Sequence, residues 1–534
     1  AEKLKEEAKF LFAEAADDLV AKLELIDSVR KLGLDSFFAD DIKEGLDALS
    51  ISIGDSSFHM IVKRNLHFCA LSFRLLRQCG YRVSQGTFHM FIEFMDKPSG
   101  TFMESKCCGD VLGLVELFEA SHLGLKDEDI MEEANRFSTR VLKSSYPRLL
   151  LHRNNDLAER VAHALELPIH WRVRWFDVKW QIKVHERRMQ KMKKKVGRAL
   201  IDLAKVNFNV VQSVLQRDLK QISRWWKDLG LIERLDFTRD RVVESFLCAV
   251  GLAIEPEFSS FRIRLTKIIL MILVLDDVYD VYGSIEELKH FTTAIDKWKN
   301  AREVDELPEP MKLCFQALTD ITEEISVEIQ NEKSWDDEHV QPHLQRVWGD
   351  FCKAMLVEAK WCRDGRTPSL KEYLTNGSVS SSGTVISVHS FCSVSSSSEM
   401  ESSFLEKSDH HLIHNVCLII RLCNDVGTSK VEQERGEAAS SIACYMREAD
   451  ATEEEAKDYV KGLIARAWKK INEKCFGPQP PATPRRFVDI TTNMARVAHN
   501  LYQDGDGFGG QDHKHHHKKQ ILSLLVHPLR IESC

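Results

Sequence analysis

Proline and glycine are scarce in this 534-residue chain, at 13 and 25 residues, which favours long uninterrupted helices over a fold built on frequent turns. Long alternating apolar and polar runs, the mark of half-buried strands, are hard to find. No apolar run is long enough to span a bilayer: the strongest near the middle, Ile268 to Leu275, is far shorter than the roughly 20 residues required. Positive charge is not in excess either. With a net charge of -8 the chain has no general attraction for nucleic acid or anionic lipid, so any anion must be held by local groups. The 14 cysteines contain no CxxC pair and only Cys107 and Cys108 are adjacent, so a disulfide framework is not indicated and a reducing compartment is expected. The opening residues AEKLKEEAKFLF read as an amphipathic helix, without the apolar core of a signal peptide or the acid-poor character of a transit peptide. A targeting segment is therefore expected to be absent or already removed. No internal repeat of about 20 to 50 residues is present, which disfavours a solenoid.

What is present is helical periodicity. Apolar residues recur at three- and four-residue spacing in segments such as Glu116 to Leu123 and Ala456 to Ile471. Ser284 with Glu287, Ser369 with Glu372 and Thr452 with Glu455 form capping-box patterns that mark helix starts. The expectation is an all-α protein. Its length suggests two domains of roughly 200 to 300 residues each. FGPQPPATP at 476–484 must separate two late helices, because proline lacks the amide hydrogen. The basic cluster Arg187 to Arg198 has no interleaved aromatics and reads as a solvated helix or loop. The serine-rich stretch Ser378 to Ser403 keeps an apolar periodicity through Val385, Ile386, Val388, Phe391 and Val394, and reads as a bent helix lining a cavity.

Two oxygen-rich segments carry the chemistry. In LVLDDVYDVYG, Asp276 and Asp280 lie one helical turn apart with Asp277 beside them, at the end of an apolar segment. Three carboxylates there repel one another unless a cation neutralises them, and hard Mg²⁺ suits carboxylate oxygens. In RLCNDVGTSKVE, Asn424, Thr428 and Glu432 follow one another at i, i+4 spacing, placing amide, hydroxyl and carboxylate oxygens on one stripe. Each pattern alone also suits a solvated helix end or a cap. Together they point to two helices facing each other across a metal cluster bridged by phosphate. His410, His411 and His414, and the run HKHHHKK at 513–519, are rival metal candidates, but neither has a cysteine or carboxylate set at zinc-ligand spacing.

At these residues the chain resembles the plant class I terpene synthases. Their DDxxD motif matches Asp276 to Asp280, and their (N/D)Dxx(S/T)xxxE motif matches Asn424 to Glu432. Further landmarks are RWWKDLGL at 224–231, RDRVVESF at 239–246, EAKW at 358–361, SIACYM at 441–446 and DGDGF at 504–508, and the resemblance covers nearly the whole chain. It implies a non-catalytic, amino-terminal α-barrel-like domain over 1–220, followed by a catalytic class I terpenoid synthase fold over 221–534. It also implies that Asp276, Asp277, Asp280, Asn424, Thr428 and Glu432 bind three Mg²⁺ ions, with Mn²⁺ able to substitute, and that Arg239, Arg241 and Arg421 grip the departing pyrophosphate. Ser381 to Gly383, Asp506 and Phe508 would lie at the pocket. Departures from the pattern are informative. Many relatives carry tryptophan where this chain has Cys248, so one aromatic wall for a carbocation is missing and extensive ring chemistry is not expected. Ser440 stands where some monoterpene synthases place a lysine, and Thr266 to Leu275 contains no asparagine to position water for a hydroxylated product. No DxDD motif is present to start a reaction by protonation.

LPIHWR at 167–172 resembles the monoterpene branch. The expected function is a lyase ionising geranyl diphosphate to a cyclic or acyclic monoterpene, placed in the plastid stroma, as monomer or homodimer, with no nucleic-acid partner and no membrane span. The alternatives are a cytosolic sesquiterpene synthase acting on farnesyl diphosphate, or a catalytically dead helical binding protein. A chain-elongating prenyltransferase would need a second aspartate-rich motif, against which the Asn424 segment argues.

Overall fold

The computed structural model describes residues 2–531 apart from 54–57, 59, 60, 62–64, 84–88, 97, 152–154, 193–196, 299–303, 334–339, 396–409, 436–438, 478–483, 504, 506 and 509–513, and leaves out the side chains at 89, 155, 191, 192, 430–435 and 514–517. Among the described residues the chain is helical almost throughout, as the periodicity and the dearth of breakers require. The exception is a short antiparallel pair, Met95–Asp96 with Thr101–Phe102. All three capping boxes form, with each hydroxyl and carboxylate satisfying the other residue's backbone. No helix among the described residues is long and apolar enough to cross a membrane, and the described cysteines are all free thiols.

The chain divides into two compact units. The first comprises 1–210 together with 472–480 and 528–534. Its core holds an ion network unusual for its burial. Arg74, 2% exposed, pairs with Asp27 at 2.7 Å and with Glu116, and Arg77 forks onto Glu128 at 2.6 and 2.7 Å. The late segments join by side-chain amides. Asn472 donates to the carbonyls of His122 and Gly124 at 2.9 and 3.1 Å and meets His170 Nε2 at 2.8 Å. Asn209 exchanges two hydrogen bonds with the backbone of Leu529. A cut of the sequence at 220 does not include these segments, because the pairings that recruit them are some 300 residues apart.

The second unit comprises 211–471 and 481–527. The helices that position its site are numbered here in chain order: α1 (Val242–Leu252), α2 (Ser259–Asp277), α3 (Gln341–Arg363), α4 (Leu370–Ser380), α5 (Gly383–Val394), α6 (His410–Arg435) and α7 (Arg485–Tyr502). Helix α2 is buried continuously from Phe261 to Leu275, including Arg262, Arg264 and Lys267. A guanidinium survives there only with its charge answered. Arg262, 0% exposed, pairs with Asp218 at 2.7 Å and donates to the carbonyls of Ala253 and Glu255 at 3.0 and 2.7 Å. Asp218→Ala strands that guanidinium, so the urea midpoint should fall by the equivalent of about 3–5 kcal/mol. An unchanged midpoint would remove Arg262 and Asp218 from the pairings that hold α2 in place.

Candidate active site

The carboxylate motif sits where α2 stops being an ordinary helix. Asp276 and Asp277 close its last turn, and the backbone then widens into a π turn over Val278–Tyr282, sealed by the Gly283 N–H on Val278 O at 2.9 Å. Such turns insert one extra residue and cluster at functional sites. Tyr279 anchors the turn inward through its hydroxyl on Thr292 at 2.7 Å, and Arg363 holds Gly283 O at 2.8 Å, while Asp280 is left at the surface. Asp276 is partly exposed and Asp277 is almost fully buried, 2% exposed.

Both aspartates face Arg239. Its Nη2 lies 2.7 Å from Asp276 Oδ2 and its Nε 2.7 Å from Asp277 Oδ1, and its backbone N–H donates to Asp277 Oδ2 at 3.0 Å. Withdrawal from solvent pushes both carboxyls up from their usual range, against the pull of Arg239. The other residues of RDR point elsewhere. Asp240 accepts from Trp226 Nε1 at 3.1 Å, and Arg241 donates Nε to the carbonyl of Phe508 at 2.7 Å. Phe508 is thus placed beside Arg241 by its backbone, while Asp506 lies outside the described residues.

The second motif runs along α6. Thr428 donates back to Asn424 O at 2.8 Å, and Gly427 allows the end of α7 close, since a Cβ there would lie 2.7 Å from Tyr502 O. Glu432 is in α6, but its side chain lies outside the described residues. Asp425 turns the other way, buried, accepting from Tyr373 OH at 2.8 Å and Ser441 N at 2.9 Å. It holds α6 rather than facing its neighbour's stripe. Arg421, one turn before Asn424, reaches Ser380 Oγ at 3.0 Å, Glu358 Oε2 at 3.3 Å and Asn424 Oδ1 at 3.5 Å, and Gly377 makes room for its stem. Arg421 and Glu358 both act on Asp276, one lowering and the other raising its carboxyl, so the two motifs share one electrostatic neighbourhood.

Glu358 is the functional candidate that the sequence reading left without a role. It accepts from Ser380 at 2.5 Å, Asn376 at 3.2 Å and Arg421, binding α3, α4 and α6 together. The only sequence signal was EAKW as a landmark, and the i, i+4 pair Asn376 and Ser380 that meets it is visible in retrospect. The serine-rich stretch does break as expected: α4 ends at Ser380, Ser382 takes a left-handed φ of 63°, and α5 starts at Gly383, where a Cβ would lie 2.6 Å from Cys417 Sγ. Ser381 is buried at the break, and residues 396–403 of the stretch lie outside the described residues. Cys248 is buried within α1, its thiol pushed up to about 12 by that burial. Ser440 spends its hydroxyl capping the helix Ser441–Ala449. Of the histidine candidates, His410, His411 and His414 begin α6, and most of the 513–519 run lies outside the described side chains.

The donor set suits a hard divalent cation: Asp276, Asp277, Asp280, Asn424 and Thr428 offer oxygen alone. Among the described residues no three His, Cys, Asp or Glu side chains converge as a ready-made cage. Mg²⁺ needs none, since it retains waters and takes its remaining ligands from a few carboxylates and phosphate oxygens.

Comparison with known proteins agrees with this chemistry. Residues 227–470 match the family model described as terpene synthase family, metal binding domain, and residues 1–165 match the terpene synthase N-terminal domain. The chain is 54% identical over 533 residues to an alpha-farnesene synthase of Ricinus communis, covering 100% of this chain and 91% of that protein. It is 50% identical to an (E,E)-alpha-farnesene synthase of Malus domestica, covering 99% and 88%. A crystal structure of isoprene synthase from grey poplar, in complex with three Mg²⁺ ions and dimethylallyl-S-thiolodiphosphate, superposes with a TM-score of 0.86 at 36% identity, over 99% of this chain and 97% of that one. The farnesene synthases overturn the expectation of a monoterpene synthase acting on geranyl diphosphate. LPIHWR lies in the first unit, where it cannot report the depth of a pocket built by the second.

Proposed function

The chain belongs to the terpene synthase family, whose members are lyases acting on prenyl diphosphates, and from that premise we propose that it ionises farnesyl diphosphate to an acyclic sesquiterpene of the farnesene type. The ionisation reading rests on one observation: in a single unit, Asp276 and Asp277 share an arginine at 2.7 Å, and a second arginine joins Asn424 to Glu358 within range of Asp276. The farnesyl reading is supported by the full-length identity to the two farnesene synthases.

Asp276, Asp277 and Asp280 from one side, and Asn424, Thr428 and Glu432 from the other, would hold Mg²⁺. When bound, the metal supplies the positive charge that makes diphosphate a good leaving group. Arg239 and Arg421 would offer guanidinium forks to the same anion, acting most strongly where water is excluded, while Arg241, held on the carbonyls of Phe508 and Asp240, would reach it only by leaving them. The allylic C–O bond breaks with its electron pair leaving on diphosphate, and a proton next to the cation then passes to the released diphosphate, its C–H electron pair forming the new double bond. Cys248 in place of an aromatic wall suits a short-lived open-chain cation, which needs less cation-π support than a ring-forming series. Ser381 at the helix break and Phe508 beside Arg241 complete the pocket lining in this reading. A plastid placement belonged with the geranyl substrate; with farnesyl diphosphate we place the enzyme in the cytosol.

The test is release of pyrophosphate from farnesyl diphosphate, with the volatiles resolved by gas chromatography. Release should disappear in EDTA, return with Mg²⁺, and accompany a predominantly acyclic hydrocarbon. A cyclic major product would remove the role given to Cys248, and no release from any prenyl diphosphate would leave a dead helical binding protein.

A further inference from the structure

We propose that Arg239 is an internal counter-cation, occupying the metal-ligand carboxylates while the site lacks metal and handed over to the diphosphate when metal displaces it. The inference rests on the ionisation reading above and concerns the order of events within it. Asp277 is 2% exposed, and a carboxylate so placed is costly unless a positive charge answers it. Arg239 answers it twice, through Nε at 2.7 Å and through its backbone N–H at 3.0 Å, and covers Asp276 with Nη2 at 2.7 Å. The oxygens that Mg²⁺ requires are therefore already engaged by a guanidinium.

Arg239 is built to let go. It lies on the non-helical segment between Leu235 and α1, its side chain is 31% exposed, and its backbone remains tied to Asp277 if the guanidinium swings away. Arg421 differs. Besides Asn424 Oδ1 at 3.5 Å it holds Glu358 and Ser380, which belong to neither metal motif, so part of its anchorage does not depend on the metal ligands. Once parted from the aspartates, the Arg239 guanidinium stays tethered through its backbone N–H on Asp277, beside the site where diphosphate arrives. Metal and diphosphate should then each raise the affinity for the other by the same factor, because the cost of parting Arg239 from its aspartates is met once.

Mn²⁺ binding to the metal-stripped full-length protein, followed by electron paramagnetic resonance, tests this without turnover. Removing the competitor should help: alone, Arg239→Gln should bind Mn²⁺ roughly tenfold more tightly than wild type. With inorganic pyrophosphate added, wild type should gain more affinity for Mn²⁺ than the variant does. Arg239→Lys, which keeps one charge but not the fork, should fall between them and serves if the glutamine variant fails to fold. Variants that bind Mn²⁺ alone no better than wild type would overturn the exchange while leaving the ionisation reading intact. Failure of wild type to bind Mn²⁺ even with pyrophosphate would overturn both.

Discussion

Asp277→Ala should lower turnover of farnesyl diphosphate by at least about 100- to 1,000-fold while helical circular dichroism stays unchanged. Two losses combine. The substitution deletes an oxygen proposed to hold the metal, and it releases both the guanidinium and the backbone N–H of Arg239 from their partner. Folding should change little, because the carboxyl is pushed up by its own burial and is no large source of stability, while Arg239 retains Asp276 at 2.7 Å. Asp277→Asn separates the two losses. Its amide oxygen can still accept the backbone N–H of Arg239, so the segment keeps its place while the negative charge is gone. Turnover by the asparagine variant should be nearly as low as by alanine. Retention of more than a tenth of wild-type turnover by either variant would show that the reaction does not depend on this carboxylate.

The second large effect concerns chain length. Farnesyl diphosphate carries one isoprene unit more than geranyl diphosphate, five carbons that a matching pocket takes from water. At about 0.8 kcal/mol per buried carbon this is up to about 4 kcal/mol, near three powers of ten in kcat/KM. Incomplete burial would reduce it, so a preference of about 30- to 1,000-fold for the farnesyl substrate is expected. The two diphosphates should compete for one site, with geranyl diphosphate turned over slowly rather than excluded, since metal and guanidinium groups meet only the shared diphosphate end. Equal kcat/KM for the two would contradict a pocket fitted to the longer chain.

Much of the site was legible because its parts are local. Asp276 to Asp280 and Asn424 to Glu432 are spaced by the helix itself, and the three capping boxes occupy four residues each, so reading along the chain finds them. What escaped depends on partners far apart. Glu358 earns a role only when α3 meets α4 and α6, and nothing in EAKW says which residues it will face. Asp425 beside Asn424 looks equally suited to metal, yet one step along a helix turns it through about 100° onto Tyr373 and Ser441. The pairing of Arg239 with both aspartates joins segments 37 residues apart and was invisible to motifs that treat arginine and aspartate as separate contributors. Substrate length was misread for a related reason: it depends on the summed depth of a cavity, to which no short word in the sequence corresponds.

The first unit gathers its residues from three stretches of chain, and this sets a rule for recombining the protein with its relatives. A chimaera joined once near residue 210 would set Asn472 from one parent against His170, His122 and Gly124 from the other, and likewise Leu529 against Asn209. A compatible exchange moves 1–210, 472–480 and 528–534 together. Inheritance of this unit is therefore spread along the gene, and a library with one crossover breaks what a library with several can preserve.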